Sequence, residues 1–374
     1  MLSKVTLGFV LLFLCGFYNS SSAQKVGFEN GVRIVENGKD GLWGKNPQIK
    51  LEYEGKFGNH DEKDVSTYFG KAEDMAFDQQ GNIYVLDAGQ CLILKYDKNR
   101  KFISSFGRKG RGPGEMIYPT GISISPAGNI SVYDSRQNRI NIYSPEGKSK
   151  SSINTTGYSL IFSMFGEDYI LKINPLTGYA GVNKPLFFIT DLKGKKNKEF
   201  GEGPFPKGKA TDANGKGGGW NRLSFALGKN MNIYAAFKFS ERIDRYDKEG
   251  KLNLKIKTAP VRGVLKNCGI AIDSKERIWV LTQQKGMKRE DFVYRQMITT
   301  DQDDVSWNIK GNKSIVNTDI YALELYDKEG ALLFRYPLTH FINNGDIIRI
   351  NGNKIYILED LREGTFHVYK ISDL

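Results

Sequence analysis

The sequence EDMAFDQQGNIYVLDAGQCLILKYDKNRKFISSFGRKGRGPGEM, which spans Glu73–Met116, contains four short apolar runs separated by turns. The runs are MAFD, IYVLD, LILKYD and FISSFG; they are rich in Ile, Val, Tyr and Phe and bounded by Gly, Asn and Asp. This pattern predicts four strands of an antiparallel meander. One four-stranded sheet has open edges and too little core to be stable alone. The stretch therefore requires further copies of itself in the chain.

The rest of the chain supplies these copies. Gly128-Asn129-Ile130 repeats Gly81-Asn82-Ile83 after 47 residues, and the units run over 70–107, 117–153, 158–200, 222–257, 267–336 and 344–374. Their clearest marker is a tight turn after the third strand, in which Asp caps the turn and Gly accepts positive φ. This turn begins at Asp97, Ser144, Asp191, Asp247 and Asp327. Such a repeat indicates a β-propeller, because the strands of the alternative, an ordinary sandwich, would not recur with matching turns.

The two ends of the repeat region complement each other. The sixth unit has three strands and no fourth, whereas QIKLEYEGKFG at residues 48–58 resembles a fourth strand without its unit. Pairing the two removes an exposed edge and closes the ring. The sequence therefore predicts an all-β, six-bladed β-propeller with four-stranded blades over residues 47–374, closed by an N-terminal strand that joins the C-terminal blade. Residues 24–46, rich in Gly and charge, are predicted to be a lead-in segment.

The units resemble NHL repeats, most clearly in GNIYVLDAGQCLILKYD and GNISVYDSRQNRINIYS. The segment GRKGRGPGEM also looks like the loop that joins successive NHL blades. Over residues 47–374 the chain is similar to the six-bladed NHL/TolB-like propellers exported by Bacteroidetes, with unit three the most divergent. The resemblance implies a fold and leaves function open, because propellers host many functions.

Residues 1–23 have the pattern of a cleaved signal peptide. Lys4 precedes the apolar stretch Val5–Phe17, and Ser21-Ser22-Ala23 provides small residues at the cleavage position. The alternative is a membrane anchor, which needs about 20 apolar residues, more than this stretch has. Leu14 directly before Cys15 does not resemble the bacterial lipobox. The sequence thus predicts export to the periplasm, the cell surface or the medium, with no transmembrane segment in the mature chain.

The composition limits the classes of partner. A formal net charge of +12 favours nucleic acid, anionic glycans or an anionic membrane, and export makes nucleic acid the least suitable of these. Outside the predicted signal peptide only Cys91 and Cys268 remain. One disulfide is possible in an oxidising compartment, but the repeat places the two cysteines in separate blades, which favours two buried thiols.

The long loops of the predicted propeller fall on one face. Strands alternate in direction, so the loops between second and third strands and those between blades share a face, which is where function usually sits in such folds. They are Gly107–Pro119, Asn174–Lys184, Gly201–Asn221 and Gln283–Asn317. The candidate ligand-binding residues on this face are Arg108, Arg111, Arg136, Trp220, Arg222 and Lys238. They could bind the carboxylates or sulfates of an acidic glycan, or they could form an ordinary solvated basic surface.

No catalytic motif is recognisable. The chain has three histidines, His60, His340 and His367, and contains neither HExxH nor GxSxG. By resemblance to metal-dependent lactonase propellers, which hold a divalent ion with Glu, Asn and Asp, Asp87 and Asp134 at the ends of their strands are weak candidates for a calcium-type cation. The same carboxylates could instead cap the turns that follow them, and the sequence favours that role.

These observations support two hypotheses. The first is an exported, non-catalytic binding or scaffold propeller that engages a glycan or an envelope protein through its basic face. The second is a metal-dependent hydrolase or lyase with its site at the central channel. RNA binding fits the charge but conflicts with the signal peptide.

Overall fold

A computed structural model of the chain confirms the six-bladed β-propeller with four-stranded blades. It describes residues 24–58, 67–155, 162–174, 184–204, 222–259, 267–285, 320–339, 347–359 and 364–374, and the backbone of 294–299 and 305–310. The predicted signal peptide lies outside the described residues.

Each repeat unit forms one antiparallel blade. Before the repeats come β1 (Lys25–Glu29), β2 (Val32–Glu36) and β3 (Ile49–Phe57). Blade one contains β4 (Ala72–Phe77), β5 (Ile83–Asp87), β6 (Leu92–Tyr96) and β7 (Phe102–Phe106). Blade two contains β8 (Pro119–Ile124), β9 (Ile130–Asp134), β10 (Arg139–Tyr143) and β11 (Ser149–Asn154). Blade three contains β12 (Phe162–Phe165), β13 (Tyr169–Ile173), β14 (Phe187–Asp191) and β15 (Lys196–Phe200).

The second half repeats the arrangement. Blade four contains β16 (Leu223–Leu227), a short 3₁₀ turn (Lys229–Met231), β17 (Ile233–Phe237), β18 (Arg242–Tyr246) and β19 (Leu252–Lys257). Blade five contains β20 (Asn267–Ile272), β21 (Ile278–Gln283), an inserted hairpin of β22 (Tyr294–Thr299) and β23 (Val305–Lys310), then β24 (Tyr321–Tyr326) and β25 (Leu332–Pro337). Blade six contains β26 (Ile348–Asn351), β27 (Lys354–Glu359) and β28 (Thr365–Asp373).

The ring closes as the strand count predicts. β3 pairs antiparallel with β28, from Phe57 opposite Phe366 to Ile49 opposite Asp373. The N-terminal strand therefore supplies the outermost strand of blade six. Blade three, the most divergent unit in sequence, also forms a four-stranded sheet, in the order β12-β13-β14-β15.

Burial follows the position of each strand in its blade. Blades stack face to face, so a middle strand is covered on both sides; β5, β9 and β17 are buried at every residue. Outer strands face solvent, and β15 has four of its five residues exposed. The apolar clusters accordingly form between blades; one of them joins Met75 and Val85 of blade one to Tyr356 and Leu358 of blade six. This double burial explains why the middle strands are nearly continuous apolar runs.

The lead-in segment is more ordered than the sequence interpretation implied. β1 and β2 form a hairpin, and β2 pairs parallel with β19, so blade four becomes a six-stranded sheet. The turn is Asn30-Gly31, with φ of 50° and 78°, which is the strongest short-range hairpin signal between two runs of strand formers. The buried side chain of Val35 anchors the hairpin in the core between blades four and five.

The two cysteines lie in different blades. Cys91 follows β5 in blade one and Cys268 lies in β20 of blade five; both are buried, and neither forms a disulfide. Burial raises the pKa of the Cys91 thiol to about 11. The prediction of two separate buried thiols is confirmed.

Candidate functional site

The loop-rich face is best described around the segment between blades one and two. Residues 107–118, the basic loop, leave β7 and enter β8 on the face where the turns after β5 and β9 also lie. Lys109 and Met116 form a bridge within this loop. Gly114 has φ of 70°, and a Cβ there would lie 2.6 Å from the Ser149 side chain, so only glycine fits. The loop therefore has a defined conformation.

Arg139, at the start of β10, hydrogen-bonds to the backbone of the basic loop. Its guanidinium group donates to three backbone carbonyls, those of Arg111 at 3.2 Å, Gly112 at 2.7 Å and Glu115 at 2.7 Å. A guanidinium offers five donors in a rigid fork, which suits it to collect several carbonyls at once. Arg139 therefore has a structural role: it holds the backbone of the basic loop in place.

Two further side chains of blade two support the same loop. The amide of Gln137 donates to the carbonyl of Gly110 at 3.2 Å and to that of Glu115 at 3.4 Å. The Tyr143 hydroxyl donates to the Gly114 carbonyl at 2.9 Å. Sequence reasoning missed this support, because it depends on contacts between a loop and the blade that follows it.

The Glu115 side chain forms hydrogen bonds with other residues of the same loop. Its carboxylate accepts the Gly112 N–H at 2.7 Å and the Arg108 guanidinium at 2.7 Å. The hydrogen bond from Gly112, reinforced by Arg108, lowers the pKa of the Glu115 carboxyl from its usual value of 4.5. The carboxylate therefore stays ionised and draws the loop into a tight turn.

The structure brings three of the candidate cations together. Arg108 and Arg111 lie in the basic loop, and Arg136 lies in the turn after β9 that contacts it. The Arg108 side chain is 76% exposed, and Arg111, Arg136 and the neighbouring Lys109 are exposed as well. These four residues, the blade-two cation cluster, form a basic surface on the supported loop and on the turn that contacts it.

The other candidates lie elsewhere. Arg222 and Lys238 belong to blade four, where the Lys238 N–H donates to the Arg222 carbonyl at 2.9 Å. Blade three separates them from the blade-two cation cluster. Trp220 lies outside the described residues. Of the candidate residues that the structure describes, three thus lie at the basic loop and two lie at blade four.

Asp87 is buried and bonded within blade one. Its carboxylate accepts the N–H groups of Gly70 at 2.7 Å, Lys71 at 2.9 Å and Gln90 at 3.0 Å, and the Gln90 amide at 2.8 Å. It thereby joins the turn after β5 to the chain that enters β4.

Asp134 repeats the arrangement in blade two. It accepts the N–H groups of Ile117 at 2.7 Å, Tyr118 at 3.2 Å, Arg136 at 3.0 Å and Gln137 at 3.2 Å. Carboxylates that accept several backbone N–H groups act as caps. Both aspartates therefore cap their turns in this structure, and Asp134 also fixes the end of the basic loop.

A small polar network lies where the inner strands of blades one and two meet. Lys71 contacts Glu73 and donates to the Tyr118 hydroxyl at 2.8 Å. The Lys71 ammonium also lies 4.8 Å from the centre of the Tyr118 ring, so this face of the ring already has a cationic neighbour. Tyr118 is therefore part of the scaffold between the two blades.

Blade six uses the corresponding carboxylate differently. Glu359 pairs with Lys56 of the closing strand at 2.9 Å and lies 3.0 Å from Nε2 of His367. Burial opposes ionisation here, but contacts from His367 and Lys56 outweigh it and lower the pKa of Glu359. His367 also contacts the Tyr53 hydroxyl at 3.1 Å, so it has a structural position inside the blade.

Across the residues that the structure describes, no group of three or more His, Cys, Asp or Glu side chains has the geometry to hold a metal ion. His60 and His340 lie outside the described part. Within the same part, no helix is long and apolar enough to cross a membrane.

Comparison with known proteins bears on the fold. The family model DUF5128, described as a six-bladed β-propeller, matches residues 69–361. No curated protein matches the chain.

Three solved structures share this architecture at low sequence identity. A member of the DUF4221 family from Bacteroides vulgatus superposes with a TM-score of 0.59 at 12% identity, over 88% of this chain and 100% of that one. A candidate exported protein from Bacteroides fragilis gives 0.54 at 12% identity, over 87% and 96%. A gluconolactonase from Xanthomonas campestris gives 0.50 at 9% identity, over 87% and 90%. At these identities the likeness concerns the fold alone.

Proposed function

Because the chain belongs to DUF5128, a family of six-bladed β-propellers, we propose that it is an exported, non-catalytic binding module. Its ligand is an anionic partner, in the first place an acidic glycan, and it binds at the blade-two cation cluster. The signal-peptide pattern of residues 1–23 and the likeness of the repeats to the NHL/TolB-like propellers of Bacteroidetes support export.

One observation carries this proposal. Arg108, Lys109 and Arg111 are exposed on the basic loop, and Arg136 is exposed on the turn beside it. The backbone of the loop is held by Arg139, Gln137 and Tyr143 of blade two. A rigid support reduces the conformational entropy that the loop loses on binding, which favours affinity. Guanidinium groups also match carboxylates and sulfates in a bidentate geometry. A merely solvated basic surface would need no such support.

Glu115 sets the selectivity that we expect. It is the internal counter-ion of Arg108, so a ligand must offer an anion that competes with a carboxylate at 2.7 Å. Sulfated or polycarboxylate sugars meet this demand through several charges at once, whereas a neutral sugar does not. Binding should therefore weaken as salt concentration rises, because salt screens exposed charges.

The test is a thermal-shift and calorimetric titration with sulfated and uronic-acid oligosaccharides, with neutral oligosaccharides for comparison. A ligand at 100 times its Kd adds about 2.7 kcal/mol of stability, which a thermal shift detects. Each charge-assisted hydrogen bond contributes about 1.5–3 kcal/mol, so we expect Arg108→Gln with Arg111→Gln to raise Kd by about tenfold or more.

The chain offers a matched control on the opposite face. Lys98 and Lys248 lie exposed in the turns after β6 and β18, and Lys98→Gln with Lys248→Gln removes the same charge there. If both double variants weaken binding equally, the interaction follows net charge and the proposed site is wrong. If no anionic sugar binds, an acidic surface on an envelope protein becomes the ligand to test. A shift with calcium alone, reversed by a chelator, would instead favour the metal-dependent hydrolase.

A further inference from the structure

The hairpin strand β1 is an open sheet edge at the rim of blade four. All five of its residues are exposed, and it is the last strand of the six-stranded sheet among the residues that the structure describes. Two of its apolar side chains face solvent, Val26 at 46% exposure and Phe28 at 70%. An exposed, regular edge is a template for another strand.

This edge differs from the outermost strands of the other five blade sheets. Each of those strands pairs with its inner neighbour across a register shift, in the sheets of β7, β11, β15, β25 and β3. Such bulges twist an edge and hinder the addition of a strand. β1 pairs with β2 over five consecutive residues with no shift, from Lys25 opposite Glu36 to Glu29 opposite Val32. Among the outermost strands of the six blade sheets, β1 therefore has a regular register, whereas the other five do not.

The hairpin turn determines which groups of β1 point outward. In a two-residue turn the flanking residues, here Glu29 and Val32, exchange hydrogen bonds across the loop. Because such pairs alternate along an antiparallel ladder, Gly27 and Lys25 also bond toward β2. The N–H and C=O groups of Val26 and Phe28 then face outward. These two residues can bond to an incoming strand.

The sequence of β1, KVGFE, is complementary to itself in the antiparallel sense. When Gly27 lies opposite Gly27 of a second copy, Lys25 of each copy lies opposite Glu29 of the other. In the same register, Val26 of each copy lies opposite Phe28 of the other. This register places the outward-facing Val26 and Phe28 opposite each other, as the hydrogen-bond alternation requires. Glu36, the neighbour of Lys25 on β2, is already paired with Lys257 at 2.7 Å. A Cβ at Gly27 would meet nothing within 4 Å, so the strand is open on that side.

We propose that two copies of this chain associate through β1, antiparallel and centred on Gly27. The pairing joins two six-stranded sheets into one continuous sheet across a twofold axis. Val26 and Phe28 form an apolar patch on one side of the junction, and two Lys25–Glu29 pairs form on the other. Since strands run from one face of the propeller to the other, antiparallel pairing directs the two loop-rich faces in opposite directions. A single strand contact is small, so we expect an affinity of about micromolar or weaker.

The experiment is sedimentation velocity across a concentration series, with any purification tag at the C terminus. The chain should pass from monomer to dimer as concentration rises. Lys25→Glu or Glu29→Lys alone places like charges opposite each other at two positions. We expect each single variant to raise the dimer Kd by about tenfold, since cross-strand charge pairs are individually modest.

The charge swaps also test the register. An equimolar mixture of Lys25→Glu and Glu29→Lys chains should form a heterodimer with restored affinity, and the double swap should restore the homodimer. Val26→Pro removes an outward N–H without disturbing the β1–β2 ladder and should abolish association. A chain that stays monomeric throughout, or a dimer whose Kd is insensitive to these variants, overturns the proposal.

Discussion

Asp74 is a buried carboxylate of blade one that contacts groups from two other blades. It lies in β4 of blade one, pairs with Arg349 of blade six at 2.8 Å, and accepts the Ile122 N–H of blade two at 3.3 Å. Burial raises the pKa of the Asp74 carboxyl, while Arg349 and the N–H groups of Met75 and Ile122 oppose the rise. The charge is tolerated at this place only because its partners surround it.

Arg349→Met should therefore be strongly destabilising. Removing one partner of a buried pair leaves the other charge uncompensated, at a cost of about 3–5 kcal/mol. Urea unfolding of the variant and of the Asp74→Asn, Arg349→Met double variant measures this, and the double variant should recover much of the loss. Lys275→Met breaks an exposed pair between blades, Lys275 with Asp373 at 2.6 Å, and should cost much less, because solvent screens exposed charges.

The same variant has a predicted pH dependence. Without Arg349 the folded-state pKa of Asp74 rises further above that of the unfolded chain, so the folded state holds a proton that the unfolded state releases. The destabilisation should then be largest above the folded-state pKa and diminish as pH falls toward the usual value of 3.8. A cost that is constant with pH would mean that Arg349 acts through packing alone.

At the scale of elements, the basic loop depends on the blade that follows it. Gln137, Arg139, Tyr143 and the Asp134 cap all belong to blade two, and together they bind the backbone of residues 110–118. The composition of the loop suggests a flexible glycine-rich connection. Its tertiary contacts instead give it one conformation, because buried donors and acceptors are costly to leave unpaired.

Arg139→Met should loosen this loop without unfolding the propeller. Three carbonyls lose the hydrogen bond from Arg139, so the loop opens locally at a lower free energy than global unfolding. Limited trypsin digestion should then cut after Arg108, Lys109 or Arg111 faster than in the wild type, with a nearly unchanged melting temperature. Arg33→Met on the lead-in hairpin serves as the control, and equal cleavage in the two variants would show that Arg139 does not hold the loop.

At the scale of the whole molecule, one strand determines whether the ring is closed. Phe57 at the end of β3 packs edge-to-face on Phe69 at 5.3 Å and on Tyr96 of blade one at 5.0 Å. Edge-to-face aromatic pairs add stabilisation beyond the apolar area they bury. β3 thus both completes blade six and contacts blade one, where the ring begins and ends.

Phe57→Ala should weaken this closure markedly. Phe-to-Ala changes in a core cost about 3–5 kcal/mol, and denaturant unfolding measures the loss. Lys50→Ala on the same strand removes an exposed side chain and should change stability by no more than about 0.5 kcal/mol. If the two variants prove equally stable, the closing strand contributes little and the ring is held together by its other blade contacts.

The repeat itself was readable from the sequence. Turn residues such as Asp247 and Gly250 recur with the period of a blade, and the unmatched strand at residues 48–58 indicated how the ring closes. The hairpin of β1 and β2 was also readable in principle from Asn30-Gly31. Its docking on blade four was not, because a parallel contact between residues 33–36 and 254–257 leaves no local pattern.

The sequence by itself determined the number of blades, their strands and the closing strand, because alternating apolar runs and turn residues are local and repeat with a fixed period. Only the tertiary structure decided which cations meet. Arg108, Arg111 and Arg136 share one supported surface, whereas Arg222 and Lys238 lie beyond blade three. The sequence favoured Asp87 and Asp134 as caps of their turns, and the structure adds that they also accept the N–H groups of Gly70 and Ile117, each 17 residues earlier. The physical reason is that a side chain's role depends on the donors and charges around it, and these come from segments far apart in the chain.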